Sequence, residues 1–415
     1  MVSIHNSNSI TETERKPETF PETAPCANSV FFRTYSRRKK EGRETWEEVC
    51  ERTIAGLEKL GNLNSDEVAL LTQMQKQLKT LSSGRWLWVG GTDWMERPEN
   101  YSGGYNCTST NITDWRSFGL LMNLAMMGCG TGAVLEPQYI NQLPPIRNRL
   151  EVSIIGEIGE THPSQRREHT QVIVEGNRVI INVGDSREGW VHSYQTLIEL
   201  SSDLRFNSPI EVLVNLADIR PAGERLNGFG GIANPIKLTE LYQRIASILN
   251  KAHGRQLNSV ECSLLIDEAA STIVAGNVRR SAGIRQGASF DELFANAKMN
   301  LWQQDEAGNW RIDPSRDALR MANHSRVFHH KPTLTECIDA VRQQYYSGEG
   351  AIQWAGEAVA RASCDLMPDK ETKLEFLKAY NQGHALQWIS ARHPSMSQQE
   401  LKHRLQRYGL NPCGK

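Results

Sequence analysis

Apolar residues recur at helical spacing near the start of the chain. The segment 45–60 (TWEEVCERTIAGLEKL) predicts a helix whose apolar face consists of Trp46, Val49, Cys50, Ile54 and Leu57. A second helix follows, in which Asn64 and Glu67 have the spacing of a capping box. Its apolar stripe is Leu71, Met74, Leu78 and Leu81. This part of the chain is therefore predicted to be helical.

The hydrophobic pattern changes to strands in the middle of the chain. TQVIVEGNRVIINV at 170–183 predicts a hairpin that turns at Gly176-Asn177, and EVLVN at 211–215 predicts a further strand. A helix is expected at 259–277, ended by Gly276-Asn277. Beyond residue 331, three helical segments recur around a strand at 350–354. The alternation indicates a mixed α/β protein.

One stretch without charges, FGLLMNLAMMGCGTGAVL at 118–135, is just long enough to span a bilayer. Its glycines after Met127 and the polar Asn123 favour a buried helix, a glycine turn and a short strand instead. GCGTGA at 128–133 lacks the spacing G-x-G-x-x-G and does not follow a strand, so we interpret it as a packing turn rather than a dinucleotide loop. We predict no membrane segment.

The net charge is close to zero, with Lys+Arg 47 against Asp+Glu 48. No global field therefore draws the protein to nucleic acid or a membrane. The basic cluster RRKK at 37–40 is interpreted as a solvated loop balanced by nearby glutamates. Hydrophobic residues at 39% and charged residues at 23% are ordinary globular values, and 415 residues favour two or three domains or one large α/β barrel.

The eight cysteines are scattered and form no C-x-x-C pair. This usage is typical of reduced thiols inside the cell, so we expect a cytoplasmic protein. His329-His330 lack the further ligands of a metal motif and are read as ordinary surface or core histidines. A Cys–His hydrolase using Cys413 and His393 stays open, although no nucleophile signature flanks the cysteine.

The chain ends on YGLNPCGK, after a helix in which Ser397 and Glu400 suggest a capping box and Gly409 the stop. Pro412 restricts the backbone on both of its sides, and Gly414 permits a tight reversal. The pattern predicts a thiol and a carboxamide held on a stiff loop. Two loops rich in Gly and Arg, 220–231 and 276–284, are further candidates for phosphate or base contacts.

Five motifs in order resemble the adenosylcobalamin-dependent (class II) ribonucleotide reductases. They are YNCTS around Cys107, VGDSREGWV, RPAGERLNGFGG, AGNVRRSAGI and the final NPCG. The resemblance runs from about Phe31 to Gly414. Within the family, the chain most resembles the monomeric ribonucleoside-triphosphate reductases of cyanobacterial type. It implies the N-terminal portion of a ten-stranded α/β barrel with an inserted α+β module.

The resemblance also implies an organisation along the chain. We expect a disordered tail over 1–30, a helical region with the first barrel elements over 31–135, an effector-site module over 136–258, and the first half of the barrel over 259–415. The last segment would end in the finger loop that carries the reactive cysteine.

Roles for individual residues follow from the same resemblance. Cys413 would carry the thiyl radical that removes the 3′ hydrogen of the ribonucleotide, and Asn411 would bind the sugar hydroxyls. Cys107 would be one of two reducing thiols, restored by thioredoxin. Residues that bind substrate or the deoxynucleoside triphosphate effector would be Arg279, Arg280, Ser281, Asp185 and Ser186. Adenosylcobalamin is the implied cofactor, with no metal site assigned.

The sequence departs from the family at Lys415. The family motif reads N-P-C-G-E, in which the glutamate is a base, and a charged lysine cannot accept that proton. The second reducing cysteine and much of the barrel also have no counterpart. We therefore expect an N-terminal part that needs a C-terminal half for activity. The alternative is a catalytically dead fragment that retains only effector binding.

Overall fold

The computed structural model describes residues 20–226, 232–275 and 282–413. The chain divides into two compact units, Met1–Asn106 and Cys107–Lys415.

The first unit is helical. Its helices are α1 (Pro25–Thr34), α2 (Trp46–Gly61), α3 (Ser65–Lys76) and α4 (Gly84–Val89), followed by a 3₁₀ turn at Pro98–Gly104. Both α2 and α3 begin with reciprocal capping boxes, Thr45 with Glu48 and Asn64 with Glu67. These bonds satisfy amide groups that an open helix start leaves unpaired.

Two details of this unit differ from the prediction. Helix α1 begins at Pro25, inside the segment 1–30 that was expected to be disordered, and it buries Phe31 against Trp46. Helix α3 ends at Lys76, so Leu78 and Leu81 lie beyond it. Leu78 has a φ of 56°, a left-handed conformation that cannot continue the helix.

Strands and helices alternate in the second unit. Its strands are β1 (Cys107–Asn111), β2 (Gly130–Val134), β3 (Leu150–Ile155), β4 (Gln171–Glu175), β5 (Arg178–Asn182), β6 (Ile210–Asn215), β7 (Gly283–Ala288), β8 (Trp302–Gln304), β9 (Trp310–Ile312), β10 (Asn323–Phe328) and β11 (Ala351–Trp354). Its helices are α5 (Trp115–Met126), α6 (Pro137–Ile140), α7 (Arg187–Leu200), α8 (Ile236–Lys251), α9 (Ser259–Ala275), α10 (Glu292–Ala295), α11 (Leu334–Ser347), α12 (Ala355–Ala362), α13 (Lys370–Asn381), α14 (Ala385–Arg392) and α15 (Gln398–Leu405).

A five-stranded parallel sheet organises this unit, in the order β1-β2-β7-β10-β11. Helix α5 connects β1 to β2, as parallel neighbours require. The mixed α/β class is therefore confirmed. Over the described residues the sheet is open, with β1 and β11 at its edges, and the ten-stranded barrel stays a prediction.

A second sheet lies within the predicted effector-site module, in the order β3-β6-β5-β4. β4 and β5 form the predicted antiparallel hairpin, while β6 pairs in parallel with both β3 and β5. Val179, Ile181, Val212 and Val214 alternate inward along β5 and β6 and are fully buried. β8 and β9 make a small separate hairpin.

The uncharged stretch 118–135 lies within the second unit. It comprises most of α5, a turn at Gly128 with a φ of 77°, and β2, as predicted. Among the described residues, no helix combines the length and apolar character needed to cross a membrane.

The last helix differs from its prediction at both ends. The Ser397 side chain accepts a hydrogen bond from the Glu400 amide, but the Glu400 carboxylate binds Arg404 rather than completing a capping box. Helix α15 ends at Leu405, four residues before Gly409. Gly409 is therefore not the helix stop, and its role is a packing one.

Candidate functional site

Residues 408–413, here called the strap, follow α15 and run across the central sheet beside β2. Pro412 lies near Gly130, the Leu410 carbonyl near Gly132, and Gly409 near Val134. Tyr408 contacts Glu136, two residues past the end of β2. Pro412, Leu410 and Gly409 thus meet every second residue of β2, which is the set that faces one side of a sheet. The strap runs antiparallel to β2 over that face.

Three glycines make this close approach possible. A side chain at Gly130 would place its Cβ 2.9 Å from the Cys107 sulfur and 3.1 Å from Cγ of Pro412. A Cβ at Gly132 would collide with the Leu410 carbonyl oxygen, and one at Gly409 with the Ser109 hydroxyl. Glycine within a strand commonly marks such a close backbone approach. The interpretation of 128–133 as a packing turn holds only for Gly128, since Gly130 and Gly132 belong to β2.

Two glutamines hold the strap backbone. Gln286, on β7, accepts a hydrogen bond from the Leu410 amide at 2.6 Å and donates one to the Leu410 carbonyl at 2.9 Å. Gln353, on β11, donates to the Tyr408 carbonyl at 2.6 Å. Both glutamines are buried, so these bonds are shielded from competing water. Side chains of the sheet thus replace the ladder bonds that a neighbouring strand would supply.

The strap brings two predicted site residues together. The sulfur of Cys413 lies 2.8 Å from that of Cys107, the first residue of β1. Cys413 is exposed and Cys107 half-buried, and both are free thiols. Burial, with the Cys413 thiol as a further cause, raises the pKa of Cys107. At neutral pH this favours the hydrogen-carrying thiol over the thiolate.

Asn411 stabilises the end of the strap. Its side-chain oxygen accepts a hydrogen bond of 3.0 Å from the Cys413 amide, an Asx turn within the strap. Pro412 lies between them with its φ restricted by the ring. These two constraints set the direction in which the Cys413 thiol points.

The other end of the strap lies in a polar cluster. The Tyr408 hydroxyl donates to the buried carboxylate of Glu136, which also contacts Nε2 of His329 at 2.9 Å. Burial and the neighbouring Glu136 charge hold the pKa of Tyr408 far above its ordinary value. The phenol therefore remains a donor at any physiological pH.

A buried ion pair supports β2 near the sulfur pair. Arg285, on β7, and Asp267, on α9, are both fully buried and lie 2.7 Å apart. The same guanidinium donates to the carbonyl of Thr131, between Gly130 and Gly132, at 2.9 Å. Burial raises the pKa of Asp267, although Arg285 opposes that effect. The pair holds in place the strand on which the strap lies.

Two of the predicted effector residues, Asp185 and Ser186, make contacts within the predicted effector-site module. Both carboxylate oxygens of Asp185 accept from Nε of Arg220 at 3.0 Å, and Arg166 is 3.9 Å away. Ser186 caps α7 by accepting from the Gly189 amide. Arg279, Arg280 and Ser281 lie outside the described residues. Effector binding by these five residues stays a prediction.

The paired histidines have local partners. Besides Glu136, His329 contacts the Tyr380 hydroxyl at 3.0 Å, and His330 binds Glu336 at 2.9 Å. Within 20–226, 232–275 and 282–413, no group of three or more His, Cys, Asp or Glu side chains could hold a metal ion.

Sequence reasoning missed the residues that support the strap, namely Gln286, Gln353, Glu136, Gly132 and Gly409. The alternation of Gly130 and Gly132 within a strand was a usable signal, because glycine weakens strands unless something must approach them. The glutamines carried no signal, since their partners lie 124 and 55 residues away in sequence.

The sulfur contact leads to a direct prediction about oxidation. We expect a mild thiol oxidant such as diamide to join Cys107 and Cys413, each thiol losing one hydrogen atom as the diazo bond is reduced. Peptide mapping by mass spectrometry would identify the linked pair. Cys50 and Cys262 should stay reduced, since burial raises the pKa of Cys50 to about 11 and that of Cys262 further.

The matched control for this oxidation is Cys364→Ser, which removes a different exposed thiol. It should leave the cross-link intact, whereas Cys413→Ser should abolish it. Cross-links of Cys107 to other cysteines at comparable yield would contradict the placement of the strap.

Comparison with known proteins places this geometry in context. Residues 158–249 match the family model described as the insertion domain of B12-dependent ribonucleotide reductase. The chain is 28% identical over 336 residues to the adenosylcobalamin-dependent ribonucleoside-triphosphate reductase of Lactobacillus gasseri, covering 69% of this chain and 44% of the relative. The Levilactobacillus brevis enzyme of that name is 27% identical over 321 residues, covering 65% and 42%.

A solved structure shares the fold. The crystal structure of a B12-dependent (class II) ribonucleotide reductase superimposes with a TM-score of 0.56 at 21% identity, covering 72% of this chain and 45% of that one. The chain thus spans less than half the length of these relatives. The expected similarity to class II reductases is supported, while the monomeric cyanobacterial subtype rests on the sequence motifs.

Proposed function

We propose that the protein carrying this chain reduces ribonucleoside triphosphates to 2′-deoxyribonucleoside triphosphates, with Cys107 and Cys413 at its thiol centre. The observation that carries the proposal is the 2.8 Å contact of two sulfurs 306 residues apart in sequence. The braced strap that creates it occurs in a chain similar to enzymes named for this reaction. The monomeric, cyanobacterial-type branch and the ten-stranded barrel belong to the same proposal.

Adenosylcobalamin is the proposed cofactor, and when bound it supplies radical chemistry. The chemistry of the thiol site fits such a group, because Cys413 is exposed at the end of the strap and can be reached from outside the sheet. Of the chain's own residues, only the Cys413 thiol is assigned to face it.

Each site residue then has a separate task. Cys413, held by the Asx turn and Pro412, removes the 3′ hydrogen of the ribose. Such a transfer requires contact distance and a fixed approach, which a braced strap provides. Asn411 binds the sugar hydroxyls, and Cys107 supplies a hydrogen-carrying thiol for reduction at the 2′ position. Cys107 and the second reducing thiol each give up one hydrogen atom as the 2′ hydroxyl leaves as water, and these two thiols become a disulfide. The Cys413 thiol then returns the 3′ hydrogen to the ribose.

The partners follow from this chemistry. A dithiol reductant of the thioredoxin type, in the cytoplasm, would reduce this disulfide and restore the two thiols, becoming a disulfide itself. A deoxynucleoside triphosphate effector would bind the module around 136–258, through Asp185, Ser186 and the loop that carries Arg279, Arg280 and Ser281. The remaining barrel strands and the second reducing thiol would come from a C-terminal half like that of the relatives.

The proposal is tested by turnover. The protein is incubated with adenosylcobalamin, a labelled ribonucleoside triphosphate and reduced thioredoxin, alone and with the C-terminal half of the Lactobacillus gasseri relative. We expect deoxynucleotide only where both halves are present. Its absence from both samples, with deoxynucleoside triphosphate binding retained, would favour the alternative of an effector-binding protein without catalysis.

A further inference from the structure

Glu136 and His329 both lie just beyond the carboxyl ends of strands in the central sheet. Glu136 follows β2 by two residues and His329 follows β10 directly, with β7 between these strands. Because the strands are parallel, their carboxyl ends lie at the same end of the sheet. Cys107 and Gly130 are the first residues of their strands and so lie at the amino-terminal end of the sheet. The strap runs from the carboxyl-terminal end of the strands to their amino-terminal end.

The hydrogen bonds of the cluster form one consistent chain. His329 donates from Nε2 to Glu136 and accepts at Nδ1 from the Tyr380 hydroxyl, at 2.9 and 3.0 Å. Tyr408 donates to the other Glu136 oxygen, and Gln138 donates to the Tyr408 oxygen at 2.7 Å. Burial raises the pKa of Tyr380, so both phenols keep their donor protons. Each donor meets an acceptor.

A buried carboxylate is an expensive way to stabilise a core. Glu136 is 2% exposed, and its partner Tyr408 belongs to a buried apolar cluster that includes Leu401, Phe376 and Val327. Burying a charge costs free energy that apolar packing would not, but its hydrogen bonds specify one geometry. The residue whose position these hydrogen bonds fix is Tyr408, the first residue of the strap.

Tyr408 is held at the start of the strap by its hydroxyl and by its backbone carbonyl. Beyond it, Gln286 holds the backbone at Leu410, and a local turn leads from Asn411 to Cys413. The 2.8 Å sulfur contact requires the strap to lie in one register along β2. A shift at Tyr408 therefore displaces Cys413 from Cys107.

We propose that Glu136, His329 and Tyr408 act together as positioning residues that hold the Cys413 thiol beside Cys107. The cluster lies at the carboxyl-terminal end of the strands, and the sulfurs lie at the amino-terminal end. The cluster affects the distance between the sulfurs through the strap. Its consequence for turnover rests on the proposed function, whereas its effect on the distance between the sulfurs does not.

The test measures the rate at which diamide joins Cys107 to Cys413 in the intact protein, without nucleotide or cofactor. Tyr408→Phe keeps the ring in the core and removes only the donor. We expect the cross-linking rate to fall about tenfold, the size of effect for one lost hydrogen bond to a charged group. His329→Gln, which retains a donor toward Glu136, should recover much of the rate lost in His329→Ala.

Tyr242→Phe is the matched control. Tyr242 is equally buried, and its hydroxyl bonds Ser193 at 2.7 Å within the effector-site module. It should lower thermal stability without changing the cross-linking rate. Should Tyr408→Phe fail to fold, the His329 pair supplies the same comparison.

The outcomes separate this inference from the proposed function. Slower cross-linking in Tyr408→Phe, with wild-type rates in Tyr242→Phe, supports positioning even if no reductase activity is found. Where turnover is measurable, kcat should fall with KM little changed, because the substrate contacts remain. Equal cross-linking rates in wild type and Tyr408→Phe would overturn the inference, whatever the turnover.

Discussion

Replacing Cys413 by serine is expected to reduce deoxynucleotide formation to less than about one-thousandth of the wild-type rate, as for loss of a reacting group. The hydroxyl has nearly the shape of the thiol, but its O–H bond is too strong to lose a hydrogen atom readily. The strap contacts of Tyr408 and Leu410 do not involve the sulfur, so the fold should persist. The measurement is the turnover assay described above, with circular dichroism to verify the fold.

The control for this loss is Cys364→Ser. Cys364 is also exposed in the second unit, and no role in the site is assigned to it. Its replacement should leave turnover near the wild-type rate. Residual activity in Cys413→Ser above a tenth of wild type, by contrast, would remove Cys413 from the reaction.

Replacing Asp267 by alanine is expected to lower the free energy of unfolding by about 3–5 kcal/mol, the cost of stranding one partner of a buried ion pair. Arg285 would keep its full charge in a site with 0% exposure and no carboxylate. The guanidinium also holds the Thr131 carbonyl of β2. Urea unfolding, followed by circular dichroism, measures the change as a lower midpoint.

Two further variants identify the cause as the stranded charge. Asp267→Leu combined with Arg285→Met removes both charges, and much of the lost stability should return. Glu211→Ala breaks the exposed pair with Arg178, and its midpoint should barely move because water solvates the remaining charge. A double variant as unstable as Asp267→Ala would attribute the loss to packing instead.

The secondary structure was predictable where local signals were strong. The capping box at Asn64, the hairpin at Gly176-Asn177 and the strand at 351–354 rest on residues a few positions apart. Predictions failed where the conformation or role of a residue depends on a contact with a residue distant in sequence. Gly409 has the appearance of a helix stop, yet it is glycine because the Ser109 hydroxyl leaves no room for a side chain.

The candidate site was predictable only in part, for the same reason. Cys413, Asn411 and Cys107 were proposed because motifs carried them. The residues that support the strap were not predicted, because the sequence around a glutamine on a strand is the same whether its side chain faces solvent or binds the strap. Asp185 likewise gave no sign that its carboxylate is bound by Arg220, 35 residues further along the chain.

By itself, the sequence determined the mixed α/β class, the helical start and the stiff NPC segment, and its motifs led to the proposal of Cys107 and Cys413 as the reactive thiols. Those properties depend on backbone preferences and side-chain chemistry, which act over a few residues. Only the tertiary structure decided that Cys107 and Cys413 meet, that Gln286 and Gln353 hold the strap, and that Glu136 anchors its far end. These contacts join strands and loops remote in sequence, and packing rather than local preference selects their geometry.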